Sequence, residues 1–357
     1  MKKNRTKNTE MRLLVIRNSA MGDVALTAPV LRALNEQYPD IEIILLTRPA
    51  YWAFFTSFEG IQLYLADFKV RHKGLKGIYV LFRDLQKQGD IDYVIDLHDV
   101  LRSKILRLLF RLSGVPSEKI DKGRKEKRKI IRGQSKLKLR HSVERYQDVF
   151  EKAGFKISES AGPWIKPSPD AVKSSYDITG IDGGINIGVA PFARHELKMW
   201  PEEYMVSLLK MLSEKYDARI WLFGGKEEHS RLESLASKVP QTVNLSGRLK
   251  LGDEIAVISQ LDLMISMDSS NMHIAALAGT KVISIWGATD PVIGFGAWHQ
   301  PGEYSVYIPS GELACRPCTV FGKGKCRRKD HACMVWLKPA LVFKRIESLG
   351  ILQLHND

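Results

Sequence analysis

Three short runs in this chain put anion- and proton-handling groups where a strand would give way to a helix. The first is Asp268-Ser269-Ser270-Asn271-Met272-His273. The apolar residues 261–267 before it read as a buried parallel strand, and Asp268, Ser269 and Ser270 offer N-cap chemistry. Met272, Ile274, Ala275, Leu277 and Ala278 then carry a helix that Gly279 ends, with another strand at 282–286. A phosphate there would meet unpaired N–H groups, the positive end of the helix dipole, and the side chains of Ser269, Ser270 and His273. The second run, Arg17-Asn18-Ser19-Ala20-Met21-Gly22-Asp23-Val24, sets a carboxylate at the turn after the first strand. Asp23 there is either a helix cap or a group that accepts a proton. The third, Lys198-Met199-Trp200-Pro201, places an ammonium in a loop just before a helix, where it could neutralise a pyrophosphate.

These runs need a scaffold of alternating strands and helices, and the hydrophobic pattern supplies one twice. Strand-like segments at 13–17, 41–47, 61–65 and 93–97 alternate with amphipathic text. After a Pro-, Gly-, Ser- and Asp-rich stretch at 163–182 the pattern restarts at 185–190, 220–223, 243–245, 261–267 and 282–286. The expected fold class is therefore α/β, with two Rossmann-like domains facing a central cleft. Their expected bounds are 11–165 and 183–335, with a terminal helical segment at 336–357. Ligands of such folds bind at the carboxyl ends of the parallel strands.

Length and composition fit this layout. The chain has 357 residues, 44% of them apolar and 26% charged, enough for two full cores. No apolar run is long enough to span a bilayer, and the apolar stretch at 13–16 is too short for a signal peptide, so a cytoplasmic location is expected. The formal charge of +14 is concentrated between residues 101 and 145, where sixteen Lys or Arg stand against Glu118, Asp121, Glu126 and Glu144. That is the footprint of a polyanion (nucleic acid, anionic lipid headgroups or a phosphorylated saccharide), or else a mobile solvated loop. Residues 101–112 have Leu101, Ile105, Leu108, Leu109 and Leu112 at helical spacing with cations between them. Such a helix either covers the sheet or rests on an anionic membrane.

Taken together, Asp268 to Ala276, Gly287-Ala288-Thr289-Asp290-Pro291, and Ser19 to Val24 resemble the motifs of the ADP-heptose:lipopolysaccharide heptosyltransferase family (glycosyltransferase family nine). The resemblance implies the two-domain glycosyltransferase B fold, with the last helix crossing back onto the first domain. It implies that Asp23 is the catalytic base and that Lys198, in a Lys-x-Trp-Pro motif, contacts donor phosphate. It further implies a donor site built from Asp268, Ser269, Ser270, Asn271, Met272 and His273, with Glu228 on the ribose and Leu249 beside the adenine. His141 and Arg145, in His-x-x-x-Arg-Tyr, fall on its acceptor side. Ser270 departs from the pattern, standing where the family has glycine.

The expected activity is therefore inverting transfer of heptose from ADP-heptose to the anionic lipopolysaccharide inner core, by an enzyme peripheral to the inner-leaflet membrane surface. Neither a cofactor nor a metal is expected, because Lys198 and a helix start can stabilise the leaving diphosphate. Asp90-Ile91-Asp92 reads as a turn before a strand. Cys315, Cys318, Cys326 and Cys333 form an irregular set that could hold a structural zinc, although the family does not depend on one for transfer. Two alternatives stay open. One is a transferase or epimerase using another nucleotide sugar. The other is a nucleic-acid-binding protein that uses segment 101–145, which explains the charge but gives Asp23, Lys198 and Asp268 no role.

Overall fold

Leu13, Leu14, Val15 and Ile16 are wholly buried, because the strand they form is covered on both faces, as in any all-parallel sheet. The computed structural model describes residues 11–181 and 183–353 and divides the chain into two units. The first comprises Met1–Lys122 and Ser142–Trp164, the second Gly123–His141 and Ile165–Asp357.

In the first unit, β1 (Met11–Ile16), β2 (Ile41–Thr47), β3 (Ile61–Leu65), β4 (Tyr93–Asp96) and β5 (Ser117–Lys119) form a parallel sheet in the order β3-β2-β1-β4-β5. The order reverses beside β1, so the turns after β1 and β4 sit at the switch point where open sheets bind ligands. Ile16 pairs with Asp96, which brings the two turns together. Helices Gly74–Lys87 and Leu101–Leu112 pack on one another, with Phe82 and Phe110 in edge contact at 4.9 Å.

The second unit has a six-stranded parallel sheet of β6 (Asn186–Ala190), β7 (Arg219–Leu222), β8 (Thr242–Asn244), β9 (Leu263–Met267), β10 (Val282–Ile285) and β11 (Ser305–Val306), in the order β11-β10-β9-β6-β7-β8. Again the chain reverses between β6 and β9, whose ends lie side by side through Ala190 and Ser266. Helix Pro339–Ser348, expected to return to the first domain, buries Val342 and Ile346 in the second unit's core beside Leu208, Leu209 and Leu212. The end of that expected segment, 354–357, lies outside the described residues.

The basic segment departs from one of its two readings, that of a mobile solvated loop. Arg124–Ile131 is a helix, and the Lys127 ammonium lies 3.9 Å from the centre of the Phe295 ring. Leu139 N–H donates to the Val292 carbonyl at 2.8 Å. The segment therefore groups with the second unit, although its sequence position lies within the range expected for the first. Its apolar seat comes from Phe295, far away in sequence, and a lysine's stem can use such a seat while its charge faces a ring.

Candidate active site

Asp23 stands in the first turn of the short helix Met21–Ala25, just after β1. Its Oδ2 receives a hydrogen bond from Ala20 N–H at 3.2 Å and pairs with Arg17 Nη2 at 2.7 Å, with about a third of the side chain (34%) exposed. The carboxylate thus caps its helix while part of it still faces solvent. Arg17 is buried, donates to the Leu97 carbonyl at 2.5 Å, and lies 5.6 Å from the Tyr146 ring centre. Burial alone would lower its pKa, but Tyr146 and Asp23 raise it, so the cation persists beside the carboxylate. Tyr146, its own pKa raised by burial, donates its hydroxyl to the Asp23 carbonyl at 3.1 Å.

From the neighbouring β4 turn comes His98, whose Nε2 lies 3.2 Å from Ser19 Oγ. Burial, with the charges of Arg17 and Lys122, pushes its pKa down to about 3, so the ring is neutral at physiological pH. Fully buried Asp96 orients this turn by accepting from the His98 and Asp99 N–H groups at 3.0 and 2.8 Å. Sequence reasoning gave Arg17 and His98 no role. The available signal was that each follows a strand adjacent to the other.

In the second unit three adjacent strand ends converge. Lys198 after β6, Asp268 after β9 and Thr289 after β10 meet at one oxygen: Asp268 Oδ2 lies 2.7 Å from Lys198 Nζ and accepts the Thr289 hydroxyl at 2.7 Å. Gly287 lets the Lys198 loop pass this closely, because a Cβ there would sit 3.0 Å from the Leu197 carbonyl oxygen and against Met334. Gly322 leans on the Lys198 side chain in turn. Arg316, whose pKa burial lowers, donates to the Gly287 and Thr289 carbonyls at 2.5 and 2.9 Å and to that of Ile308, with Asp290 at 3.4 Å.

The remaining expected donor residues divide. Ser270 begins helix Ser270–Ala278 and is half-buried, whereas Ser269 at the N-cap makes no side-chain cap bond and instead lies 3.1 Å from Ser266 Oγ. Asn271 donates to Glu254 Oε1 at 2.8 Å, and burial raises that carboxyl to about 6 against this hydrogen bond. Met272 is fully buried core and His273 is buried in the first turn. Glu228 Oε2 accepts from Gly225 N–H at 2.8 Å, capping its own turn. That turn adjoins the one containing Leu249, since His229 Nδ1 lies 2.9 Å from Ser246 Oγ.

His141 and Arg145 fall in different units. The His141 ring stacks on Trp298 at 4.7 Å, its Nε2 is 2.9 Å from the Gly296 carbonyl, and burial lowers its pKa to about 3. Arg145 donates to the Asp121 carbonyl at 3.3 Å. Asp92 Oδ2 accepts from Arg12 N–H at 2.9 Å, the part a turn residue plays.

The four cysteines are free thiols around a cavity of about 20 Å³ shared with Arg316, Arg327, Arg328 and His331. Burial raises Cys318, and raises Cys333 to about 11, which keeps both protonated. Among the described residues no three His, Cys, Asp or Glu side chains are grouped to hold a metal ion.

Two parallel-sheet units, each with turns gathered at its switch point, make a two-unit α/β architecture. Residues 78–320 match glycosyltransferase family 9 (heptosyltransferase), and the chain belongs to that family. It is 23% identical over 348 residues to lipooligosaccharide heptosyltransferase 2 of Campylobacter jejuni, covering 95% of this chain and 99% of that one. The family 9 glycosyl transferase of Veillonella parvula superposes with a TM-score of 0.75 at 20% identity, covering 97% of this chain and 99% of that one. An E. coli heptosyltransferase solved with ADP-2-deoxy-2-fluoro heptose gives 0.66 at 19% identity, covering 95% and 100%. The fold is thus the glycosyltransferase B type that the sequence motifs imply.

Proposed function

We propose that this enzyme transfers heptose from ADP-heptose to the anionic inner core of lipopolysaccharide, inverting the anomeric centre, and does so at the inner face of the cytoplasmic membrane. The observation that carries this proposal is the Lys198–Asp268 pair, a nearly buried ammonium 2.7 Å from a carboxylate at the start of helix Ser270–Ala278, in a heptosyltransferase-family chain. A diphosphate beside this helix start would meet the Lys198 charge, free N–H groups and the dipole, so negative charge developing on the leaving group is stabilised. Asp268, held by Lys198 and Thr289, is placed to contact sugar hydroxyls. Glu228 and Leu249, on adjoining turns, serve the ribose and the adenine.

Asp23 is the general base. As the acceptor oxygen forms its bond to the anomeric carbon, the carboxylate takes the hydroxyl proton, and the bond to ADP breaks with its electron pair going to the phosphate oxygen. One displacement gives inversion. Arg17 fixes the orientation of the carboxylate, and neutral His98, reaching Ser19 from the neighbouring turn, brings no competing charge. Arg145 and the basic residues near it favour an acceptor that carries carboxylates or phosphates. Among the described residues no helix is long and apolar enough to cross a membrane, in keeping with a peripheral enzyme.

Calorimetric titration with ADP, UDP and GDP, followed by turnover with ADP-heptose and a core acceptor, tests the proposal. ADP-selective binding that Lys198→Ala weakens, together with product of inverted configuration, supports it. Equal binding of all three nucleotides, or none, refutes the donor assignment.

A further inference from the structure

Helix Leu101–Leu112 is apolar on two sides. At 100° per residue, Leu101, Ile105, Leu108 and Leu112 occupy an arc of about 60°, while Ser103, Leu106 and Phe110 lie on the opposite side. The second set is buried against the sheet and Phe82. Of the first, Leu101 is 73% exposed, Leu108 54% and Leu112 77%, while Ile105 between them is half-buried and packs against the core. The apolar spacing that marks this segment as a helix therefore mixes two faces, with Ile105 and Leu109 packed on the core and Leu101, Leu108 and Leu112 facing water. On the neighbouring helix Gly74–Lys87, Leu75 and Tyr79 are likewise 69% and 53% exposed.

Scattered exposed leucines are ordinary, but three on one side of one helix, with two more large apolar side chains exposed on the helix packed against it, are not. The charge around it indicates what it meets. Helix Leu101–Leu112 carries Arg102, Lys104, Arg107 and Arg111 and no acid. Arg102, Lys104 and Arg111 are exposed and flank the leucine stripe on both sides, and the neighbouring helix adds Lys76, Arg83 and Lys87 against Asp84 alone. Apolar side chains between cations, on a helix lying flat on a folded body, fit an anionic bilayer surface, with leucines at the acyl boundary and cations among the headgroups. A second copy of this chain fits poorly, since each face would bring the same cations and almost no acid to the seam.

We propose that the outer face of helices Gly74–Lys87 and Leu101–Leu112 docks the enzyme on anionic phospholipid. The assignment rests on the proposal that the acceptor is carried on a lipid. It separates the residues that hold the membrane from those that hold the sugar, and none of the site residues lies in either helix.

The test is sedimentation of the full-length protein with vesicles of phosphatidylglycerol and phosphatidylethanolamine, beside vesicles of phosphatidylcholine alone. The wild type should partition onto the anionic vesicles only, and added salt should weaken it. Leu101→Ser with Leu108→Ser and Leu112→Ser should lower partitioning by about tenfold or more, since each leucine loses its apolar burial. Arg102→Glu with Arg111→Glu should do the same through charge. Because all five positions are exposed, unchanged thermal unfolding should accompany the loss. Transfer to a water-soluble core acceptor stripped of its acyl chains should continue at the wild-type rate in both variants. Equal partitioning of the serine variant and the wild type overturns the inference, as does equal binding to phosphatidylcholine. A wild-type oligomer that ignores vesicles and that the serine substitutions dissolve overturns it in favour of self-association. Failure of the wild type to glycosylate the soluble acceptor counts instead against the proposed transfer reaction and leaves the vesicle result standing.

Discussion

Lys198 Nζ and the Thr289 hydroxyl meet the same oxygen of Asp268, each at 2.7 Å. The three residues come from the ends of β6, β9 and β10, so a contact between positions 91 apart in sequence follows from the strand order alone. Lys198→Ala should weaken ADP binding about tenfold or more, the range of a lost charge-assisted hydrogen bond. Asp268→Asn should retain more of the affinity, because an amide oxygen can accept from both donors. A calorimetric cycle of the two single variants and the double variant measures the coupling, and additivity would show that the pair does not act as a unit.

Asp23→Asn should lower turnover by about 10²–10⁴-fold, the usual contribution of a positioned base, while leaving the ADP dissociation constant near the wild-type value. The amide still accepts from Ala20 N–H, so the helix start survives and circular dichroism should be unchanged. Loss of nucleotide binding along with turnover would assign Asp23 to the fold and not to the chemistry.

Two histidines make stability depend on acidity. Both His98 and His141 are held near a pKa of about 3, well below the 6.5 of a free imidazole. Above pH 6.5 both states are neutral and nothing is lost. Below it the unfolded chain takes up protons that the folded chain refuses, so the melting temperature should fall as pH drops from about 6.5 toward 3. Glu254, raised to about 6, acts with the opposite sign, favouring the folded form as pH falls through 6 toward 4.5. With two imidazoles against one carboxyl, the net trend should be a fall. Melting curves across this range should be flatter for the His98→Gln, His141→Gln double variant, and an equally steep decline would refute the linkage.

Arg316→Met should destabilise the second unit by about 3–5 kcal/mol, the range for leaving buried partners of a lost charge unmatched. Three carbonyls, those of Gly287, Ile308 and Thr289, would lose their donor, and Asp290 its cation. Because Thr289 leads to Asp268, ADP affinity should fall as well. Denaturant unfolding and calorimetry on the same preparation measure both effects.

The apolar run 41–47 announces its strand because a parallel strand buried on both faces has little room for polar residues. Strand β5, Ser-Glu-Lys, lies at a sheet edge and has no apolar signature, and β11 is only two residues long, so pattern alone finds neither. The motif residues of the site were legible, but their pairings were not. Ser269 promised a cap and turned to Ser266, while Asn271 turned to Glu254. Arg17 and His98 are placed by the register of β1 beside β4, which is a tertiary fact. The seat of the basic segment was not legible because Phe295, which holds Lys127, is more than 160 residues away.

The same seat bears on how this protein can be taken apart. The chain passes between its two units after residues 122, 141 and 164. No single cut in the gene yields two complete halves: a fragment ending at 164 would carry off the Arg124–Ile131 helix and strip Phe295 and Val292 of their cover in the other piece. Two-fragment complementation or exchange of halves between relatives would therefore have to transplant residues 123–141 together with the second unit.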